Sequence, residues 1–494
     1  MEIFYKKSEF ENLENNLQKK SSSQWDSLGK KNALELFRET SKRVPAYKKF
    51  LKKHGIDPKK IKTFADFEKI PLTDKKNYIQ AYPLHSRCWD GKLSQTNFIA
   101  ASSGTTGQPT YWPRAIEQEL EAALTHELLY KKFFEIHEHK SLILIGFPMG
   151  VYVSGMATAL PSWLIAQKYS ATIMSIGNNK NEILRAVKNL GHQYDQIILV
   201  GHPFFIKDVI ETGLEEKLTW KKFTLKFMFC SEGFSETWRE YLLKKTGTKL
   251  GYNNCISLYG SSELLLMAFE TPFTIRVKQL AEKSEALSFS LFGKKHAPNI
   301  FQYNPVHRYI EEIKKELIFT SNSGVPLIRF NLHDTGVLRN ATGLAEKLNK
   351  HSSEWKKPII KFPMWDLPVI AMWGRSDYTV VFYAANIYPE HIHSALHKDP
   401  FLNVLTGKFT LRKGYKKNMD EFLEINLELK KPVQNVRNLE LKIQTEIFEK
   451  LKKINMEFLD ASLKFPKKII PEIKLWPYQH SKYFRPGLKP KYII

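Results

Sequence analysis

The most suggestive stretch of the 494-residue chain is Ala101-Ser102-Ser103-Gly104-Thr105-Thr106-Gly107-Gln108-Pro109-Thr110. Gly104 and Gly107 allow a tight turn and a close approach of backbone to ligand. The hydroxyls of Ser102, Ser103, Thr105 and Thr106 can donate to anionic oxygens, so the stretch suits a polyphosphate. No Gly-Lys-Ser/Thr follows, so it is not a Walker loop. On its own, such a segment is more often a flexible linker. Four further loops follow apolar runs directly and between them carry glycine, histidine, serine, glutamate and tyrosine: Gly146-Phe147-Pro148, Gly201-His202-Pro203, Cys230-Ser231-Glu232-Gly233 and Tyr259-Gly260-Ser261-Ser262-Glu263.

The runs before these loops are of strand length: Leu142–Ile145, Gln196–Val200, Leu225–Phe229 and Cys255–Leu258. Helical patterns separate them, which predicts an α/β domain with a largely parallel sheet between about 97 and 340. Ligands of such sheets bind beyond the carboxyl ends of the strands, where these loops fall. Residues 1 to about 95 read as amphipathic helix, with Leu34, Leu36, Phe37 and Val44 on one stripe. From about 376 the order changes: strands at Lys408–Leu411 and Glu421–Leu429, one long helix with Val436, Ile443, Ile447, Leu451, Ile454 and Phe458 on a face, and a strand near Ile469–Leu475. That order predicts a small α+β domain.

Ser102 to Pro109 resembles the phosphate-binding loop of adenylate-forming enzymes, and Tyr259-Gly260-Ser261-Ser262-Glu263 resembles their Tyr-Gly-x-Ser/Thr-Glu motif. Pro326-Leu327-Ile328-Arg329-Phe330-Asn331-Leu332-His333-Asp334 is similar to the stretch ending in their ribose-binding aspartate. Gly374-Arg375-Ser376-Asp377, continued by Asn386-Ile387-Tyr388-Pro389, is similar to the motif at their domain hinge. All four stand in family order. Val44-Pro45-Ala46-Tyr47 and Pro71-Leu72-Thr73-Asp74-Lys75 fit the phenylacetate–CoA ligase-like branch.

The resemblance implies a large AMP-binding domain over 1–373, with mixed and parallel sheets, and a small mobile α+β domain over 374–494. It implies that ATP activates a small carboxylic acid as an acyl-adenylate, with CoA or another acyl acceptor following. Ser102, Ser103, Gly104, Thr105, Thr106 and Gly107 would hold the phosphates, and Glu263 would bind Mg²⁺. Tyr259 would stack on adenine, Gly260 and Ser262 would belong to the same cofactor-binding motif, and Asp334, helped by Arg375, would hold the ribose. Lys489, in Arg485-Pro486-Gly487-Leu488-Lys489-Pro490-Lys491, would be the catalytic lysine of the tail, with Lys491 as the alternative. The chain departs from the family pattern at Gln108, His333, Tyr378 and Ala384, where lysine, glycine, aspartate and glycine are usual. Ala384 falls in the loop that approaches the thiol acceptor, so the residues speak for adenylation before thioester formation.

Lys and Arg number 75 against 51 Asp and Glu, a formal charge of +24. That excess attracts polyanions in general. No arginine-rich run or RNA-binding signature accompanies it, so no nucleic-acid partner is expected. A non-catalytic basic protein on the same fold that binds nucleic acid or membrane is the alternative from another class. Three cysteines form no disulfide framework, which favours a reducing, cytoplasmic setting. Ser141 to Gln167 carries no charge, but Pro148 and Pro161 interrupt it, so a strand, loop and helix are expected rather than a membrane span. His391, His393 and His397, like His137 and His139, are expected to be solvated rather than metal ligands.

Overall fold

A computed structural model describes residues 7–102, 110–375, 380–396, 400–430 and 438–484. The chain forms two compact units, one of residues 1–101 and 111–374, the other of 102–110 and 375–494. The strands of the large unit are β1 (Phe98–Ser102), β2 (Thr110–Arg114), β3 (Ser141–Gly146), β4 (Ala171–Ser175), β5 (Gln196–Gly201), β6 (Leu225–Phe229), β7 (Cys255–Ser261), β8 (Leu265–Phe269), β9 (Asn299–Gln302), β10 (Arg308–Ile313), β11 (Glu316–Ser321), β12 (Leu327–Asn340) and β13 (Pro368–Arg375). β1 and β2 pair by themselves, their end residues Ser102 and Thr110 belonging to the 102–110 stretch. The other eleven make one sheet in the order β10-β11-β12-β13-β9-β8-β7-β6-β5-β3-β4.

The expected parallel sheet is half of this one. Strands β4, β3, β5, β6 and β7 run parallel. The runs of β3, β5 and β6 are buried throughout, as interior parallel strands require, while β4, at the sheet edge, is only partly covered. At β7 the chain makes a hairpin instead of a helical crossover, and β8 returns antiparallel with a bulge at Tyr259/Gly260. Beyond it, β9 and β13 pair antiparallel, as do β10 with β11 and β11 with β12. Helices Ile116–Lys132 and Val153–Ala166 pack on the parallel half around Leu129, Ile143, Ile198 and Met228. Helices Ser22–Arg43 and Pro45–Lys53 cover the antiparallel half through Phe37, Tyr47 and Phe50.

The charge-free stretch resolves as β3 and the 14-residue helix Val153–Ala166, with Pro161 inside it. No helix among the described residues is long and apolar enough to cross a membrane.

The small unit holds a hairpin of β14 (Val380–Phe382) and β15 (Ala385–Ile387) and a three-stranded sheet of β16 (Leu405–Tyr415), β17 (Glu421–Leu429) and β18 (Glu472–Trp476). β16 and β17 are antiparallel, and β17 and β18 are parallel. The expected long helix is two, Leu439–Ile454 and Met456–Lys464. Asn455 breaks it: its extended backbone ends one helix and its side chain accepts from Phe458 N at 3.0 Å to start the next. Val436 lies outside the described residues.

One histidine overturns the expectation of solvation, and a second, His393, is half-buried. His391 is only 2% exposed, and its ring packs on Tyr388 at 5.2 Å. His393 packs edge-on against Phe409 at 4.9 Å. His137 and His139 are partly exposed, beside Glu138 and Glu135.

Candidate active site

β12 and the β7–β8 hairpin position the carboxylates that the sequence singles out. Asp334 is buried and accepts a hydrogen bond from the Tyr259 hydroxyl. The Tyr259 ring lies 5.7 Å from Phe301 at 26°, so one of its faces is already covered. A base stacking on Tyr259 would use the other. Gly260 is needed where it stands, because a side chain there would meet the Leu265 carbonyl at 2.8 Å. The Cys230 sulfur lies against the same spot and ties the end of β6 to this segment. Burial pushes the Cys230 thiol up to about 11, so it is protonated at neutral pH and a poor nucleophile.

Glu263 sits in the hairpin turn between β7 and β8, not at a helix N-terminus, so it has no helix dipole to serve. The turn is held from below: Arg308 donates to the Leu264 carbonyl at 3.0 Å and pairs with Glu121 at 2.8 Å. The Glu263 side chain is 5% exposed and forms an ion pair with Lys75 at 2.7 Å. Lys75 arrives there because Thr73 is stitched to β12. Thr73 N donates to Arg329 O at 3.0 Å, Thr73 O accepts from Asn331 N at 2.7 Å, and the Thr73 hydroxyl donates to Ile328 O at 2.8 Å. Asp74 then caps the short helical turn Lys75–Ile79.

Lys75 is the site residue that sequence reasoning missed. Its segment, Pro71 to Lys75, fits the family branch, but nothing local in it shows that its lysine faces a carboxylate 188 residues on. Ser262 lies partly exposed in the same turn. Ser102 ends β1 and is buried, while Ser103, Gly104, Thr105, Thr106 and Gly107 lie outside the described residues. Arg375 closes β13, and Asp377, Tyr378, His397, Lys489 and Lys491 lie outside the described residues.

A buried charge network anchors the start of β7. Arg239 pairs with Glu236 at 3.0 Å and with Glu270 at 2.8 Å and donates to the Cys255 carbonyl, while Glu270 accepts from Ser257 N at 2.7 Å. Burial alone would lower the Arg239 pKa, and the carboxylates of Glu236 and Glu270 more than reverse that.

Among the described residues no group of three histidine, cysteine or acidic side chains gathers around a metal. Mg²⁺ does not need one: it is commonly held by one or two carboxylates, with substrate phosphates and water completing the shell. Glu263 is a carboxylate of the kind that could serve, and here it is paired with Lys75.

No family model matches the chain. Its sequence is 20% identical over 371 residues to a phenylacetate–coenzyme A ligase of Aromatoleum evansii, covering 74% of this chain and 73% of that one. A phenylacetate–coenzyme A ligase of Thermus thermophilus is 37% identical, over 68 residues that cover 14% of this chain and 15% of the relative. In structure, the chain matches 2-hydroxyisobutyryl-CoA ligase, solved with 2-HIB-AMP and CoA in its thioester-forming state. The TM-score is 0.62 and the identity 15%, over 97% of this chain and 91% of that one. An open form of the same ligase matches with a TM-score of 0.55 at 14% identity, over 97% and 93%. The chain has the architecture of the adenylate-forming enzymes. Its weak sequence likeness is to phenylacetate–CoA ligases.

Proposed function

We propose that the protein uses ATP to activate a carboxylic acid as an acyl-adenylate, releasing pyrophosphate, and then passes the acyl group to the thiol of CoA. The observation that carries this reading is the pairing of Tyr259 with Asp334 and of Glu263 with Lys75 within one unit, at the carboxyl end of β7. An aromatic ring hydrogen-bonded to a buried carboxylate suits a base and its ribose, and the carboxylate–lysine pair one turn away suits the phosphates.

In the first step a carboxylate oxygen attacks the α-phosphorus, and the bond to the β-phosphate oxygen breaks. Two anions must approach each other, so catalysis rests on position and on neutralising the phosphoryl oxygens. Asp334 would accept from the ribose hydroxyls and Tyr259 would fix the carboxylate that does so. Lys75, freed from Glu263, would face the phosphates, and Mg²⁺ bound at Glu263 would supply further positive charge there. Ser103, Thr105 and Thr106 would add hydroxyl and amide donors. Lys489, in the small domain expected over 374–494, would enter for adenylation and leave for transfer. The setting we infer is cytoplasmic, since Cys88, Cys230 and Cys255 are all free.

Ala384 favours a second reading, transfer to an amine, hydroxyl or carrier protein. It holds a left-handed φ of 66°, the conformation a glycine would give, and adds a methyl group. ATP–pyrophosphate exchange over aryl, short-chain and long-chain acids tests the first step. AMP release with CoA, and with hydroxylamine in its place, separates the acceptors. No acid-dependent exchange under any of these acids counts against the proposal.

A further inference from the structure

A cleft of about 750 Å³, an ordinary size for a small-ligand site, lies at the outer edge of the large sheet. Among the described residues β10 is the end strand of that sheet and pairs with β11 alone. Five successive residues of β10, Tyr309 to Ile313, line the cleft. Side chains alternate between the faces of a strand, so an unbroken run means that the cleft follows the strand's edge. The two-residue turn Lys314-Lys315, both residues left-handed, closes the hairpin on the Ile313–Glu316 pair. Ile313, Glu311 and Tyr309 therefore bond to β11, and Ile310 and Glu312 turn their N–H and C=O groups outward. Helix Ser22–Arg43 forms one wall and the start of helix Ala341–His351 another. Asp366 ties the two walls, accepting from Ser22 N at 2.7 Å and from the Thr342 hydroxyl at 2.8 Å.

The two ends of the cleft carry opposite charge. At one end stand Tyr303 and Tyr309, only 3% and 7% exposed. A buried phenol usually finds a hydrogen-bond partner, yet among the described residues neither hydroxyl has one. Burial pushes both phenols well above their ordinary pKa and the Asp26 carboxylate adds to it, so both keep their protons. Asp26 pairs with Lys30 at 2.7 Å and Glu311 with Arg329 at 2.9 Å. Glu68, on the rim, forms no ion pair among the described residues, so three carboxylates face two cations and this end is negative. At the other end Arg339 stands 3.8 Å from Glu312, and Lys347 donates to the Ser290 carbonyl at 3.0 Å. There two cations face one carboxylate, and the first turn of helix Ala341–His351 adds the positive end of its dipole. Tyr309 and Glu312 are three residues apart on β10, which sets the two ends about 10 Å apart.

We infer that this cleft binds a short extended peptide with free termini, about three residues long, laid along β10 with its ammonium at Tyr303, Tyr309 and Glu68 and its carboxylate at Arg339 and Lys347. Three extended residues span about 10 Å, the distance between the two ends. The peptide's amides pair with the outward groups of Ile310 and Glu312, which is recognition by strand addition. Tyr259, Glu263 and Asp334 do not line this cleft, so the inference stands apart from the acid-activation reading.

Calorimetry on the full chain with trialanine tests it. Trialanine is expected to bind, and N-acetyl-trialanine and trialanine amide each to bind at least about tenfold more weakly, since each loses a charge-assisted bond. 6-Aminohexanoate carries both charges without peptide groups and is expected to be weaker by a similar factor, about tenfold. Tyr309→Phe and Glu68→Gln are expected to weaken trialanine while leaving the N-acetyl peptide unchanged. Lys347→Met is expected to weaken trialanine while leaving the amide unchanged. A merely unfolded variant would lose every ligand alike, so this pattern separates recognition from damage. No binding of trialanine at about 10 mM overturns the inference. Blocked peptides that bind as tightly as trialanine overturn the role of the termini, and 6-aminohexanoate binding as tightly overturns the role of the strand edge. Trialanine binding that all three variants leave untouched places the peptide elsewhere and overturns the site.

Discussion

His333 holds left-handed backbone, φ 64°, one residue before Asp334, and Ala384 holds φ 66°. Both replace a glycine usual in the resembling family, and both keep the backbone a glycine would give. For an ordinary residue that conformation costs about 1–2 kcal/mol. His333 recovers part of it locally: its N–H donates to Asn331 Oδ1 at 2.7 Å and its ring lies 3.5 Å from Glu316. Ala384→Gly relieves the strain but gives the unfolded chain more freedom, worth about 0.4–1 kcal/mol the other way. The expected net is a gain of up to about 1 kcal/mol in denaturant unfolding. A clear loss would show that the methyl packs usefully. Asp334→Ala removes the acceptor to which Tyr259 donates. Charge-assisted bonds of this kind contribute about 1.5–3 kcal/mol, so calorimetry is expected to show ATP binding weakened about 10- to 150-fold. An unchanged affinity would remove Asp334 from the site. Glu263→Gln keeps the shape of the turn but loses its charge, and adenylation is expected to lose its Mg²⁺ dependence and most of its rate. Full exchange with the wild-type Mg²⁺ profile would dismiss Glu263 as a metal ligand.

Elements differ in how plainly the sequence announces them. The strands β3, β5, β6 and β7 were legible because each is a short apolar run ended by glycine, cysteine or a polar turn. The turn of the sheet at β7 was not. Leu264-Leu265-Leu266-Met267-Ala268 reads as well for helix as for strand, and periodicity cannot arbitrate so short a run. The hairpin depends on Gly260 and on Leu265, which takes a φ of 57°. Gly260→Ala drives a methyl to 2.8 Å from the Leu265 carbonyl, so the bulge must shift and carry Tyr259 with it. The expected result is a loss of about 1–3 kcal/mol of stability together with weaker ATP binding. Weakened ATP binding without any loss of stability would point to a ligand contact instead. Helix Ile116–Lys132 carries a different signal. His126 is 2% exposed, its Nδ1 lies 2.8 Å from Ala122 O, and burial brings its pKa down to about 4. A depressed histidine favours the folded state above the unfolded value near 6.5 and loses that advantage as pH falls toward 4. At 1.36 kcal/mol per unit, the loss on acidification through this window approaches about 3 kcal/mol, and half-buried His307, its pKa also lowered by desolvation, adds to it in the same direction. His126→Gln is expected to flatten the stability profile between pH 6.5 and 4. An unchanged slope would assign acid sensitivity to other groups.

At the scale of the whole molecule, motif order carried more than any single motif. The loop at 102–109, the hairpin at 259–263, the strand ending at Asp334 and the segment at 374–377 span the two units, and each alone has an ordinary explanation as turn, cap or surface pair. What order could not reveal was which distant groups meet: Lys75 reaches Glu263 only through the stitching of Thr73 to β12, and His202 meets Glu232 only because β5 and β6 are neighbours. The tail poses the sharpest remaining test. If Lys489 enters the active site only for adenylation, its charge acts on the transition state and not on bound ATP. Lys489→Ala is then expected to slow adenylation by orders of magnitude while ATP affinity stays within about twofold, since on the proposed reading ground-state binding rests on Tyr259, Asp334 and the segment Ser102 to Pro109. Thioester formation from supplied acyl-adenylate should survive, because the lysine has left by that step. Lys491→Ala carries the same loss of charge two residues on and should adenylate normally. A crippled Lys491→Ala beside a normal Lys489→Ala would move the catalytic role to Lys491, and full adenylation by both would leave a merely basic tail and remove the reason for the small unit to move.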